Sequence, residues 1–295
     1  MFSGVSMPGI TIDAPAKVNL TLEVLRRRPD GFHDLRTVLQ AITLADRLSV
    51  SPSDSDDLSL ACSVAGLEGP QNLAWRAADL LRRETGTRAG ARLRLEKRVP
   101  VAAGLGGGSS DAASALLALN ALWGLGLSRA DLCRLGARLG SDVPFFLGES
   151  ACALAEGRGE RLTPLPALAE RWVVLAKAPL AVSTAAVFTA FPPQRWSDGR
   201  RTAAWLEASG AGRGIPLPWN DLEPVMLALY PGAGRGRDAL LEGGAPGATL
   251  SGSGPTYFAL FEDEPVARGV YDRLAGRPGA GVAAHIGRFG GLATC

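Results

Sequence analysis

The chain has 295 residues, about twice a typical domain length, so two lobes are expected, or one large lobe with a smaller companion. It is 46% hydrophobic and 20% charged, ample for a sizeable core, and its 31 basic and 29 acidic residues leave a net charge of +2, which offers no electrostatic footprint for nucleic acid. Its two histidines exclude zinc sites built on paired histidines, and no apolar run is long enough for a membrane span.

Met1 to Asp13 carries neither a basic region nor an apolar one, so no secretory signal is expected. Lys17 to Val24 then alternates, with Val18, Leu20, Leu22 and Val24 on one face and Asn19, Thr21 and Glu23 on the other, which predicts a half-buried strand. Pro29-Asp30-Gly31 reverses the chain just before Phe32 and His33. Short strands are expected at 40–44, 47–50 and 92–95, and a helix over 72–83 turns Leu73, Ala77, Leu80 and Leu81 to one side and stops at Gly86.

After Pro100, the run Val101-Ala102-Ala103-Gly104-Leu105-Gly106-Gly107-Gly108-Ser109-Ser110 passes abruptly into a helical pattern of Ala112, Leu116, Leu119 and Trp123. A second helix opens at Ser128 with Asp131 as capping-box partner and ends near Gly140. Asp142 follows, and Pro144 is expected to open another turn. From about residue 165 strand-like runs appear at 172–175 and 256–261, separated by a Gly/Pro-rich stretch between Gly210 and Gly247. Leu250-Ser251-Gly252-Ser253-Gly254 reads as a tight turn near a ligand or as a hairpin. A final helix from Pro265, behind Asp263 and Glu264, should turn Val266, Val270 and Leu274 inward. The shift in composition divides the chain into domains 1–164 and 165–295. Cys62, Cys133, Cys152 and Cys295 form no CxxC pair, the usage of a reduced cytoplasmic protein.

Three glycines and two serines ahead of an apolar helix are what an anion site requires. The glycines let backbone N–H groups approach, the helix end carries partial positive charge, and hydroxyls add donors or a metal ligand. The loop is not a Walker A motif, since no Gly-Lys-Ser/Thr occurs, and on spacing alone a surface loop capping a helix fits too. A kinase acting on an alcohol needs charge stabilisation and a carboxylate that accepts the hydroxyl proton, work that Lys17 and Asp142 suit. Taken singly, the aspartate reads equally as a helix cap and the lysine as a surface side chain.

Six segments together resemble the GHMP kinases: Ala14 to Leu20, Asp30 to His33, Pro100 to Ser110, Leu139 to Phe146, Asn220 to Pro224 and Leu250 to Gly254, in the family's order. The resemblance implies an α+β, two-lobed GHMP kinase fold, with an N-terminal lobe like the second domain of ribosomal protein S5 and a ferredoxin-like C-terminal lobe. It also implies transfer of phosphate from ATP, with Mg2+, to the 2-hydroxyl of a cytidine diphosphate derivative of methylerythritol, a step toward isoprenoid precursors. In that reading Asp142 is the general base and Lys17 holds it and the developing charge. Residues 100–110 cradle the ATP phosphates, Ser110 is a candidate magnesium ligand, and Asn72 and Lys97 lie near the nucleotide. Asn19 lines the acceptor pocket, Phe32 and Phe188 wall the cytosine, His33 reads its edge, and Thr184 contacts a substrate phosphate. Asp34 and Val18 depart mildly from the family pattern. A kinase for mevalonate derivatives or homoserine, and a non-catalytic nucleotide binder, are the alternatives; neither nucleic acid nor membrane is an expected partner, and a monomer or weak homodimer is.

Overall fold

The structure, a computed structural model, describes residues 9–209, 214–276 and 281–293. Met1, Gly210 and Cys295, which figure in the sequence reading, lie outside them. In chain order the elements are β1 (Ile10–Arg27), β2 (His33–Pro52), β3 (Leu58–Cys62), α1 (Leu73–Thr85), β4 (Ala91–Glu96), α2 (Gly107–Leu122) and α3 (Arg129–Leu139). They continue with α4 (Val143–Leu147), β5 (Cys152–Gly157), β6 (Arg161–Pro164), β7 (Trp172–Lys177), α5 (Thr184–Thr189), α6 (Arg200–Ser209) and β8 (Trp219–Asn220). Last come α7 (Glu223–Leu229), α8 (Arg235–Glu242), β9 (Thr249–Leu250), β10 (Thr256–Phe261), α9 (Glu264–Ala275) and β11 (Ala283–Arg288).

β1 and β2 form a long antiparallel hairpin, paired from Ile10 with Val50 to Arg27 with His33, whose register slips at three points. Such slips bend strands that far exceed the usual length of about five or six residues. The hairpin closes at the expected turn, where the Gly31 N–H donates to the Arg28 carbonyl at 3.1 Å.

The two strands expected at 40–44 and 47–50 are one continuous strand. β2 pairs with β5 from Leu35 to Gln40 and with β4 from Arg47 to Pro52. The polar Asp46 that divided them in sequence is fully buried, because Lys97 Nζ and the N–H groups of Arg98 and Val99 satisfy its carboxylate. β1 is likewise buried on both faces rather than one. Glu23 accepts from the Thr202 N–H at 2.8 Å, and Thr202 donates to Thr21 Oγ1 at 3.2 Å, so α6 covers part of the polar face. Burial of these groups is tolerable because each has a partner.

The first sheet runs β3-β4-β2-β1-β8, with β5 and β6 continuing from β2; the second runs β11-β7-β10-β9. α1 to α4 pack on one side of the first sheet, where Leu116 and Leu119 meet Leu48, Leu95 and Phe145. α2 buries residues around nearly its whole circumference, as a core helix does. Each fully buried leucine there contributes about 2 kcal/mol. Val18, Leu20 and Ile42 pack against Val173, Leu175 and Phe258, joining the two sheets. α7, α8 and α9 supply Met226, Leu240 and Val270 to the second core.

Pro144 sits in the first turn of α4 instead of opening a turn, since a missing N–H costs nothing there. The stretch read as a Gly/Pro-rich connector holds β8, α7 and α8, with Pro224 again in a first turn. In α9 the inward stripe is Ala267, Val270 and Leu274, whereas Val266 is 52% exposed. Cys62, Cys133 and Cys152 are free, and no described helix is long and apolar enough to cross a membrane.

Candidate active site

The glycine loop leaves β4 and enters α2 through Gly104 and Gly106, at φ 74 and 71, a left-handed conformation that L side chains adopt rarely. A Cβ on Gly104 would lie 2.1 Å from the Ser251 carbonyl oxygen, so the loop is pressed against the turn between β9 and β10. Ser251 Oγ donates to the Gly104 carbonyl at 3.0 Å, and the Lys17 N–H donates to the Leu105 carbonyl at 2.9 Å. The second glycine pattern is therefore both a hairpin and a close approach. The helical hydrogen bond at the start of α2 runs from the Ser110 N–H to the Gly106 carbonyl at 2.9 Å. The N–H groups of Gly107, Gly108 and Ser109 precede it and have no acceptor within the helix, the arrangement that an anion site uses.

Gly104, Gly106 and Ser109 line a cavity of about 710 Å³ together with Lys17, Asn19 and Asp142. Alternation along β1 places Lys17 and Asn19 on the same face, two residues apart. Lys17 Nζ donates to Asn19 Oδ1 at 2.7 Å and stands 3.6 Å from Asp142 Oδ2, and Asn19 Nδ2 donates to Thr37 Oγ1 at 2.9 Å. The lysine side chain is 5% exposed and the aspartate 35%. Asp142 occupies the N-cap position of α4, yet its side chain makes no capping bond. A buried lysine thus faces a carboxylate that is open to the cavity.

The same cavity is lined by Phe32, His33, Thr184 and Phe188. The His33 and Phe188 rings stack at 5.5 Å and 30°. Phe32 is 52% exposed, with the Arg158 guanidinium 4.8 Å from its ring centre. Thr184 Oγ1 and Ser253 Oγ are 2.7 Å apart. Burial, and secondarily the charge of Arg27, pushes the His33 pKa below 6.5, so at pH 7 its imidazole is neutral and offers one donor and one acceptor. His285 is lowered by burial as well. Below pH 6.5 the unfolded chain binds these two protons before the native one does, so the histidines' own contribution to stability is constant above that pH and falls as the pH drops beneath it. The imidazole resonances of both residues, followed by NMR from pH 8 to 5, are expected to titrate with midpoints below 6.5, and a midpoint at or above 6.5 contradicts burial as the governing influence.

Asn72, Lys97 and Ser110 do not line this cavity. Asn72 caps α1, accepting from the Ala74 N–H and donating to the Leu67 carbonyl, both at 2.9 Å. Lys97 Nζ lies between the carboxylates of Asp46 and Asp111, the latter at 2.6 Å. Burial pushes the Asp111 carboxyl up to about 7 against the opposing pull of Lys97. Ser110 Oγ is fully buried and has no partner among the described residues. Of the loop, Ala103 and Leu105 are core residues, Ala102 has φ 50, and Pro100, Val101, Gly107 and Gly108 stand outside the cavity lining. Sequence reasoning missed Arg158 and Ser253 as lining residues; the first follows β5 with no local pattern to mark it.

Residues 72–149 match the N-terminal domain of the GHMP kinases and residues 200–280 their C-terminal domain. The chain belongs to the GHMP kinase family, whose members are ATP-dependent kinases. A 4-diphosphocytidyl-2-C-methyl-D-erythritol kinase from Pelotomaculum thermopropionicum is 47% identical over 268 residues, covering 90% of this chain and 93% of that one. The enzyme of the same name from Geobacter metallireducens is 45% identical over 89% of this chain and 93% of its own. A crystal structure of 4-(cytidine 5'-diphospho)-2C-methyl-D-erythritol kinase superposes with a TM-score of 0.81 at 41% identity, over 96% of this chain and all of that one. Homoserine kinase from Cytophaga hutchinsonii shares the fold at 20% identity and a TM-score of 0.69.

Proposed function

We propose that the protein transfers the γ-phosphoryl group of ATP to the 2-hydroxyl of 4-diphosphocytidyl-2-C-methyl-D-erythritol, yielding ADP and the 2-phosphate. The observation that carries this is one cavity uniting the Lys17–Asp142 pair, the glycine loop and the His33–Phe188 stack. The names of relatives that are 42–47% identical support the same substrate.

The loop of residues 100–110 receives the ATP phosphates through its N–H groups, and Asn72 and Lys97 lie near the nucleotide, behind the loop and without contacting it. The acceptor's 2-hydroxyl lies beside Asp142, which takes its proton as the oxygen attacks the γ-phosphorus and ADP leaves. Lys17, held by Asn19, steadies that carboxylate and the charge that develops on the transferred group. His33 pairs with the polar edge of cytosine between the walls of Phe32 and Phe188, and Thr184 meets a substrate phosphate.

Magnesium carried by ATP would supply positive charge against the negative charge developing on the phosphates. Among the described residues no three His, Cys, Asp or Glu side chains converge to hold a metal, which suits an ion carried mainly by the nucleotide. The orphaned Ser110 hydroxyl, with Ser109 beside it, is the protein group that fits it.

The reading includes a lobe boundary at 164/165, supported by the end of β6 at Pro164 before the second sheet begins at Trp172. It also includes a cytoplasmic location, in keeping with three free cysteines, and action as a monomer or weak homodimer.

Product analysis tests the assignment. Phosphorus NMR of a reaction with MgATP is expected to show a new phosphomonoester with the cytidine diphosphate intact; a cleaved diphosphate, or no new ester, contradicts it. His33→Ala is expected to raise KM for the cytidine substrate by about 10- to 100-fold, the loss of hydrogen bonds worth about 1.5–3 kcal/mol, and to leave KM for ATP unchanged. A parallel rise in both constants marks His33 as a folding residue instead.

A further inference from the structure

Outside the cavity, buried charges converge at one place. Lys97 Nζ contacts the carboxylates of both Asp46 and Asp111, and all three side chains are 6% exposed or less. Asp46 Oδ1 also accepts from the N–H groups of Arg98, at 2.6 Å, and Val99, at 2.8 Å. The Lys97 N–H donates to Ser63 Oγ at 2.8 Å. These contacts join β2, the stretch after β4 and the second turn of α2, the three segments that bracket the glycine loop. An ammonium has three hydrogens, and two are committed to carboxylates, so Lys97 has little left to offer a phosphate.

Burying one cation and two carboxylates is costly, and apolar side chains would serve the core at least as well. What the charges add is geometry. The backbone of residues 98–99 is fixed by directional bonds to β2, and Asp111 ties the same ammonium to α2. Gly107, the residue after the α2 N-cap, would place a Cβ 3.4 Å from Asp46 Oδ2, so the cluster lies directly against the helix end that faces the phosphates.

We propose that the Asp46–Lys97–Asp111 cluster is the positioning device of the phosphate loop, clamping both of its ends so that the N–H groups of residues 107–109 are held ready for ATP. These are positioning residues: they act through the loop and touch neither substrate. The inference rests on ATP as the phosphoryl donor. Preorganised donors bind better because less ordering is needed on binding.

The test is Asp46→Asn, which keeps the shape of the side chain and sets an amide against the Lys97 ammonium, with KM measured separately for each substrate by ADP release. KM for ATP is expected to rise about tenfold, the equivalent of about 1.4 kcal/mol, while KM for the cytidine substrate stays within about twofold. Asp111→Asn leaves the Lys97–Asp46 pair in place and is expected to shift KM for ATP in the same direction by about two- to threefold. Parallel rises for both substrates, or an unmoved KM for ATP in both variants, overturn the proposal. If Asp46→Asn yields no folded protein, Asp111→Asn decides by the same criterion. A wild-type enzyme that releases no ADP ends the kinase reading itself, whereas active wild type with unmoved variants ends only this inference.

Discussion

Asp142→Asn is expected to lower kcat by about 10²-fold or more and to leave the dissociation constants for ATP and for the cytidine substrate within about twofold of the wild type. The asymmetry follows from where the side chain sits. Its carboxylate makes no helix-capping bond and is 35% exposed to the cavity, so exchanging an oxygen for an amide nitrogen removes proton-accepting capacity without opening a hole in the core. The amide still fills the space beside Lys17. What disappears is the group proposed to take the hydroxyl proton, a change that should be felt in the transition state and not in binding. Rapid-mixing or steady-state turnover paired with calorimetric titration separates the two. Normal turnover would remove Asp142 from the role of base.

Lys17→Met is expected to have a comparable effect, a fall in kcat/KM of about 10²- to 10³-fold, the scale of losing a preorganised electrostatic group if Lys17 stands at the reacting centre as proposed. Methionine matches the length of the buried stem, so steric disturbance is small. The charge is another matter: Asn19 Oδ1 loses its donor and Asp142 its only cation within 4 Å among the described residues. A buried acceptor left unsatisfied also costs about 1–3 kcal/mol of stability, so thermal unfolding should register a modest loss alongside the kinetic one. A variant that unfolds early yet turns over normally would assign the lysine to the core. Together with Asp142→Asn the pair forms a cycle, and a double variant no slower than the poorer single one is expected if the two side chains act as a unit.

Features of the chain that depend on local chemistry were legible in its sequence. The helix from Ser128 announces itself through the capping box with Asp131, and both halves of that box are formed. α2 is marked by glycines followed by a run of alanines and leucines. Lys17 and Asn19 share a face because strand alternation requires it. Harder to read were residues whose state depends on distant partners. The gap expected between strands at 40–44 and 47–50 holds Asp46, which is buried inside one continuous strand and paired with a lysine 51 positions later. Asn19, Thr21 and Glu23 looked like a solvent face until α6, nearly 180 residues downstream, was brought over part of it. Val266 and Ala267 differ only in which side of one helical turn the core lies, a matter of docking and not of period. Arg158 enters the cavity because the strand before it pairs with β2, and no spacing in the sequence records that.

Cytidine recognition and phosphoryl transfer are proposed to share one cavity. The most direct test of this is ADP release from MgATP by the purified protein, comparing 4-diphosphocytidyl-2-C-methyl-D-erythritol with the corresponding methylerythritol phosphate that lacks cytidine. Turnover with the first compound alone is the predicted result, since His33, Phe32 and Phe188 have nothing to hold in the second. Equal turnover with both, or none with either in a protein that binds ATP, would contradict the account.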